Sequence, residues 1–182
     1  MTEDIRTAIR DKALAIGFDA IGFAPADAGE RARSALARFV EQGYHGDMGW
    51  MAESADRRAD PRALWPETRS VIVLAQSYAP PGDPRHGLSG RGEISVYAAN
   101  KDYHDLVKNR LKQLARWLHE DRGAAVKVFV DTAPVLEKAL AQQAGLGWTG
   151  RHTNLVSREH GSWLFLGEVF TDLEIPPDIP SE

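Results

Sequence analysis

The sequence predicts an α+β fold, a mixed α/β sandwich built as a single domain. Three observations carry this expectation. Segments with helical periodicity alternate with short β-branched runs along the chain. The last two β-like runs are neighbours, which separates the pattern from a strictly alternating parallel sheet. With 182 residues, 43% of them hydrophobic, the chain can bury one full core but not comfortably two.

Ile5 to Ile16 places Ile5, Ile9, Ala13 and Ile16 at helical spacing and stops at Gly17, so a helix is expected there. Asp19 to Ala24 follows as a strand ending at Pro25, and Ala32 to Val40 reads as a second helix with Leu36, Phe39 and Val40 on one side. The glycines from Gly43 to Gly49 and the charged run Arg57 to Arg62 predict an irregular loop. Val71 to Ala75, uninterruptedly apolar, predicts a buried central strand, and the stretch from Pro80 to Gly92 the most flexible part of the chain. Tyr103 to Leu118 gathers Val107, Leu111, Leu114 and Leu118 on one helical face. Val126 to Val130 predicts a strand running directly into a helix begun at Asp131-Thr132-Ala133-Pro134 and ended near Gly145. Leu155 to Ser157 and Trp163 to Phe170 predict a hairpin turning at Glu159-His160-Gly161, and the proline-rich tail an extended linker.

Composition narrows the chemistry. The chain has no cysteine, which excludes disulfides, thiolate catalysis and cysteine-ligated zinc or iron–sulfur clusters within it. A formal net charge of −4 argues against nucleic-acid capture by long-range attraction alone, though a local basic patch is compatible with it. The N-terminus lacks the basic start and apolar run of a secretory signal, and no stretch is apolar enough for a membrane helix, so a cytoplasmic location without membrane contact is expected.

Asp131 stands out because it follows a strand where binding clefts are commonly built; the alternative is that Asp131 or Thr132 merely caps the next helix. Behind Val128-Phe129-Val130 its carboxyl could lie partly out of water, which would raise its pKa and make it a proton donor near neutrality. Gly145-Leu146-Gly147-Trp148-Thr149-Gly150 allows close backbone approach to a large flat ligand, but it follows a helix and precedes a strand, the wrong order for a dinucleotide turn. His104 and His152 could bond a ligand or simply meet the backbone. Tyr44, Trp50, Tyr97, Tyr103, Trp148 and Trp163 could line a pocket or fill the core. No His, Asp and Glu spacing forms a metal motif.

Several blocks, taken in order, carry a resemblance. They are Tyr44-His45-Gly46-Asp47-Met48, Arg58-Ala59-Asp60-Pro61-Arg62, Lys101-Asp102-Tyr103-His104, Val130-Asp131-Thr132-Ala133-Pro134-Val135-Leu136-Glu137-Lys138, the Gly145 to His152 loop, and Gly161-Ser162-Trp163-Leu164-Phe165-Leu166-Gly167-Glu168. In these the chain resembles the N-terminal domain of the epoxyqueuosine reductases, cobalamin-dependent enzymes that complete queuosine in tRNA. The resemblance implies a nitroreductase-like, cobalamin-processing-like scaffold over residues 1–175. It implies that residues 176–182 lead toward an absent ferredoxin-like domain with two 4Fe–4S clusters, which this cysteine-free chain cannot bind.

Carried over to matching positions, the resemblance makes Asp131 the proton donor. It sets Arg58, Asp102, Tyr103, His104, Gly150, His152, Thr153, Ser162, Leu166 and Gly167 beside cobalamin, and Leu136, Glu137 and Lys138 toward tRNA. The implied partners are a tRNA anticodon stem-loop carrying epoxyqueuosine and an external electron donor, for a monomer. The implied reaction removes an epoxide oxygen as water and leaves an alkene, and the oxygen needs a proton as its bond to carbon breaks. Two rivals share the scaffold: a non-catalytic cobalamin carrier or processing module, and a flavin-dependent nitroreductase relative.

Overall fold

The computed structural model describes residues 4–82, 90, 92 and 94–181. Helix α1 (Ile5–Ile16) opens on Asp4, whose side chain accepts from the Arg6 amide, and closes on Gly17 in the left-handed conformation that glycine adopts without a Cβ clash. Strand β1 (Ala20–Pro25) and helix α2 (Glu30–Glu41) follow. The stretch expected to be loop instead winds into three single turns, α3 (Gly49–Glu53), α4 (Ala55–Ala59) and α5 (Pro61–Leu64). Asp60 and Pro61 start α5 as N-cap and first helical residue, a signal that the charged, turn-rich composition masked.

Strand β2 (Ser70–Ser77) crosses the core, and a 3₁₀ turn at Val96–Ala98 leads into α6 (Tyr103–Arg122), β3 (Val126–Phe129) and α7 (Glu137–Gln143). The short β4 (Trp148–Thr149) and β5 (Leu155–Val156) pair with each other, and β6 (Leu164–Thr171) returns to the main sheet. That sheet runs β1-β2-β6-β3, every pair antiparallel. The expected β5–β6 hairpin is therefore corrected: only the bridge between Ser157 and Gly161 remains of it, because β6 is long and apolar enough to take the place beside β2. Most of the 80–92 stretch expected to be flexible lies outside the described residues.

Alternation along the strands builds two cores. Phe23, Ile72 and Val169 share a transverse row and meet α1 and α6 through Ile9, Leu111, Leu114 and Leu118. On the opposite face Ala24, Val71, Val73 and Phe170 pack beneath Leu140, Ala141 and Ala144 of α7, with Trp65 and Leu155 beside them. The mixed sandwich expected from the sequence is thus helices, sheet, helix. Gly167 is the contact point of the first layer: a Cβ there would lie 2.9 Å from Leu111 Cδ1 and 3.0 Å from Val107 Cγ1.

The tail is extended but tied down. Asp178 pairs with Arg6, bonds Arg10 at 2.6 Å and accepts from the Phe23 amide at 2.9 Å, while the Ser181 amide donates to the Gln142 carbonyl at 3.0 Å. No helix among the described residues is long and apolar enough to cross a membrane.

Candidate active site

The C-terminal end of β3 and the first turn of α6 meet at one place. Asp102 caps α6, accepting from the His104 amide at 2.9 Å, and its Oδ1 lies 2.6 Å from His104 Nδ1. The other ring nitrogen, Nε2, lies 3.1 Å from Asp131 Oδ2, and the Tyr103 hydroxyl donates to that same oxygen at 3.0 Å. His104 therefore bridges two carboxylates, and the hydrogen bond to Asp102 is the chief reason its pKa stands above the ordinary value. Burial, then the bond to Asp131, pushes the Tyr103 hydroxyl up as well, so it stays a proton-bearing donor. Tyr103 is held by stacking: its ring lies parallel to Phe165 at 3.7 Å, Phe165 stacks on Tyr78 at 4.3 Å, and Tyr78 meets Trp163 edge-on at 5.6 Å.

Asp131 itself departs from expectation in two ways. It does not start or cap a helix: α7 begins six residues later, at Glu137, behind a turn in which Asp131 takes φ +49°. The capping role is thereby removed, since the N-cap position belongs to Leu136, which has no side-chain cap. Nor is the carboxyl buried; its side chain is 57% exposed, because the turn carries it off the end of the sheet. The left-handed backbone, uncommon outside glycine, is tethered by Glu137, whose Oε1 accepts from the Asp131 amide at 2.6 Å.

Beneath this turn lie two more carboxyl groups. Burial foremost, with the charge of Asp131 adding to it, raises the pKa of Glu137 to about 7. Glu168 is fully buried in the row Val73–Glu168–Phe129 under α7, and neither of its oxygens has a hydrogen-bond partner among the described residues. Burial, with repulsion from Glu137 and Asp131, holds its pKa well above the ordinary carboxylate range, which favours its neutral form. The sequence did hint at Glu168, as the single charged residue inside the apolar run Trp163 to Phe170.

A cavity of about 450 Å³ opens beside Asp131, lined by Arg58, Val135, Leu136, Glu137, Lys138 and Thr149, with Ala32, Ala35, Leu36 and Phe39 of α2 across from them. Helix α2 has no buried residue, because its apolar side faces this opening and not the core. Arg58 lies 5.0 Å over the Trp50 ring, and its buried Nε has no partner among the described residues. Lys138 Nζ donates to the Thr153 carbonyl at 2.8 Å, joining α7 to the 150–154 turn. In that turn Thr153 has φ +67° and His152 lies so close over Gly150 that a Cβ would sit 2.6 Å from its Cε1. A second cavity, about 790 Å³, lies past Tyr103, between Gln76–Ala79, Tyr97, Asn100 and Phe165.

Residues 58–132, which run from Arg58 to the Asp131 turn, match the family model described as epoxyqueuosine reductase QueG, DUF1730. The epoxyqueuosine reductase of Vibrio cholerae is 40% identical over 189 residues, a match that takes in 99% of this chain and 50% of that protein. In fold, an epoxyqueuosine reductase solved with an epoxyqueuosine-modified tRNA-Tyr stem loop superposes with a TM-score of 0.83 at 28% identity, over 98% of this chain and 48% of that one. In sequence and fold this chain is related to the epoxyqueuosine reductases. It spans about half the length of the curated relatives it matches.

Among these relatives is the Bacillus subtilis epoxyqueuosine reductase, solved with an aspartate-bearing catalytic loop swung out of its active site; it has a TM-score of 0.80 at 26% identity, over 98% of this chain and 48% of that one. The scaffold extends further, to a reductive dehalogenase studied for B12-dependent dehalogenation, at TM-score 0.61 and 19% identity over 96% of this chain and 20% of that one, a likeness of fold alone. Set against the epoxyqueuosine reductase expectation, Asp102 and Tyr103 line the second cavity, His104 joins Asp131 at 3.1 Å, and Arg58, Asp131, Leu136, Glu137 and Lys138 line the first opening. Gly150, His152 and Thr153 join it through Lys138. Ser162 and Leu166 are half-buried along the approach to and within β6, while Gly167 has a packing reason of its own against α6.

Proposed function

We propose that this chain is the cobalamin-holding, substrate-facing part of an epoxyqueuosine reductase, with Asp131 as the proton donor to the leaving epoxide oxygen. The observation that carries the reading is the set of Asp131, Tyr103 and His104, joined at 3.0 and 3.1 Å at the mouth of an opening that also presents Arg58 and Lys138. Epoxide plus two electrons and two protons gives alkene and water, so the site must deliver protons where carbon–oxygen bonds break. His104, in contact with both Asp102 and Asp131, is suited to return a proton to Asp131 after it has given one up.

The donor set fits a corrin. A large ring edged with amides needs an open, polar-rimmed surface, and the Arg58 Nε, without a partner among the described residues, the His104 and Tyr103 side chains and the glycine-bearing 150–153 turn offer one. Reduced cobalt would supply the electrons, a division of labour usual for cofactor enzymes. Exposed Lys138 and neighbouring Leu136 would face the tRNA, with the Glu137 carboxyl turned inward to the Asp131 amide, a reading supported by the stem loop bound to a solved relative. Electrons would come from an external donor by way of iron–sulfur clusters borne on the remaining half of the enzyme. The working location would be the cytoplasm, where tRNA is modified.

The test has two arms. Adding hydroxocobalamin or flavin to the chain and recording the visible spectrum after re-isolation should show retained corrinoid and no flavin; retained flavin would favour the nitroreductase rival. In the whole enzyme, Asp131→Asn should keep cobalamin and lose at least about 100-fold in turnover, the scale of a positioned acid. Turnover close to wild type would remove Asp131 from that role.

A further inference from the structure

We infer that Glu137 is a positioning residue: its side chain is the latch that holds the 131–136 turn closed, keeping Asp131 against Tyr103 and His104. The geometry is specific. Asp131 sits at φ +49°, a backbone region uncommon outside glycine; the Thr132 amide and hydroxyl close the turn locally on the Val130 carbonyl, and the bond that ties Asp131 to the next helix is the 2.6 Å one from its amide to Glu137 Oε1. Because α7 packs its Leu140, Ala141 and Ala144 into the core, Glu137 is anchored on the rigid side of the turn, and Asp131 is the part free to move.

The groups facing Glu137 explain why it can serve. Asp131 lies above it on the turn, Glu168 below it on β6, Lys138 beside it on α7 and Arg58 across the opening on α4. With two carboxyl neighbours, Glu137 could not carry a charge cheaply if both were ionised. Glu168, sealed from water and without a hydrogen-bond partner among the described residues, is biased to its neutral form, which lessens that repulsion. As pH rises through about 7, Glu137 gains its charge and accepts more strongly from the Asp131 amide. The latch therefore tightens above neutrality and loosens below it. A solved relative has an aspartate-bearing catalytic loop swung out of its active site.

The catalytic meaning of the latch rests on Asp131 being the proton donor, but its existence does not, so the test reads the turn directly. In ¹⁵N–¹H spectra of the 182-residue chain carrying His104→Gln, which removes the step that the neighbouring imidazole would add, the Asp131 amide should lie downfield and follow a pH step near 7. Glu137→Gln, which keeps an acceptor oxygen, should retain the amide's protection from hydrogen exchange but lose the step. Glu137→Ala should lose protection by at least about tenfold, the size expected for a charge-assisted bond, and, in the chain that keeps His104, return the His104 titration toward its ordinary value as Asp131 leaves. A step that persists in Glu137→Gln, or an Asp131 amide equally protected in Glu137→Ala, would overturn the latch. If these signals behave as stated while Asp131→Asn stays active in the whole enzyme, the latch stands and the proton-donor reading falls.

Discussion

Glu168 is a carboxyl group buried without a hydrogen-bond partner among the described residues. Such a group favours its neutral form, and its pKa is raised accordingly. Glu137 is raised too, to about 7. An acid whose folded pKa lies above its unfolded value leaves stability intact below the unfolded value of 4.5 and removes it as pH rises through the folded one. The chain should therefore lose stability from about pH 5 upward through both carboxyl groups, because both release their protons in the unfolded chain over the same range. Glu168→Gln, which cannot ionise, should raise Tm by about 3 °C at pH 9 and leave it nearly unchanged at pH 5. Calorimetry at the two pH values checks this, and an equal shift at both would show that charge is not the reason.

At the scale of elements, the N-terminus of α6 decides how the site is wired. One residue, Asp102, both caps the helix and grips the His104 ring, so the helix start and the imidazole share an anchor. Asp102→Asn can still cap but carries no charge, so the His104 titration followed by NMR should move down toward the ordinary histidine value. The sign follows from the linkage: with its pKa raised, His104 contributes stability below its unfolded value and loses it as pH rises through the folded one. An unmoved midpoint would mean that Asp131 alone holds the ring. The boundary of α7 is the other decisive element. Pro134 suggested a helix start by its composition, yet the turn runs on to Glu137, because the long-range contact of Tyr103 and His104 with Asp131 pulls the strand end away from helical geometry.

Across the whole molecule, two cores share one sheet, and the tail binds the first to the second. Asp178 joins Arg6 and Arg10 of α1 to the backbone of β1, and the Ser181 amide reaches Gln142 on α7. Asp178→Ala would strand two partly buried guanidinium groups and one amide, and should cost about 2 kcal/mol in a denaturant titration. A change within about 0.5 kcal/mol would class these pairs with ordinary surface pairs. Because the tail is docked, whatever follows it in a longer chain starts from a defined place beside α1 and α7.

Much of this was written in local pattern. The helix from Ile5 to Ile16 was legible to the residue, since periodicity and Gly17 are both local signals, and so were the apolar core of β2 and the stripe of α6. The ordered blocks around Arg58, Tyr103, Asp131 and Gly167 disclosed the kinship, because those side chains and glycines are constrained by what they touch. Tertiary structure alone decided the rest. Which strand lies beside β2, how an exposed Asp131 comes under a tyrosine and a histidine 28 and 27 residues away, and where Glu137 and Glu168 stack beneath it all depend on contacts between distant segments. Periodicity reports which face of an element is apolar; it does not report what another element brings to that face.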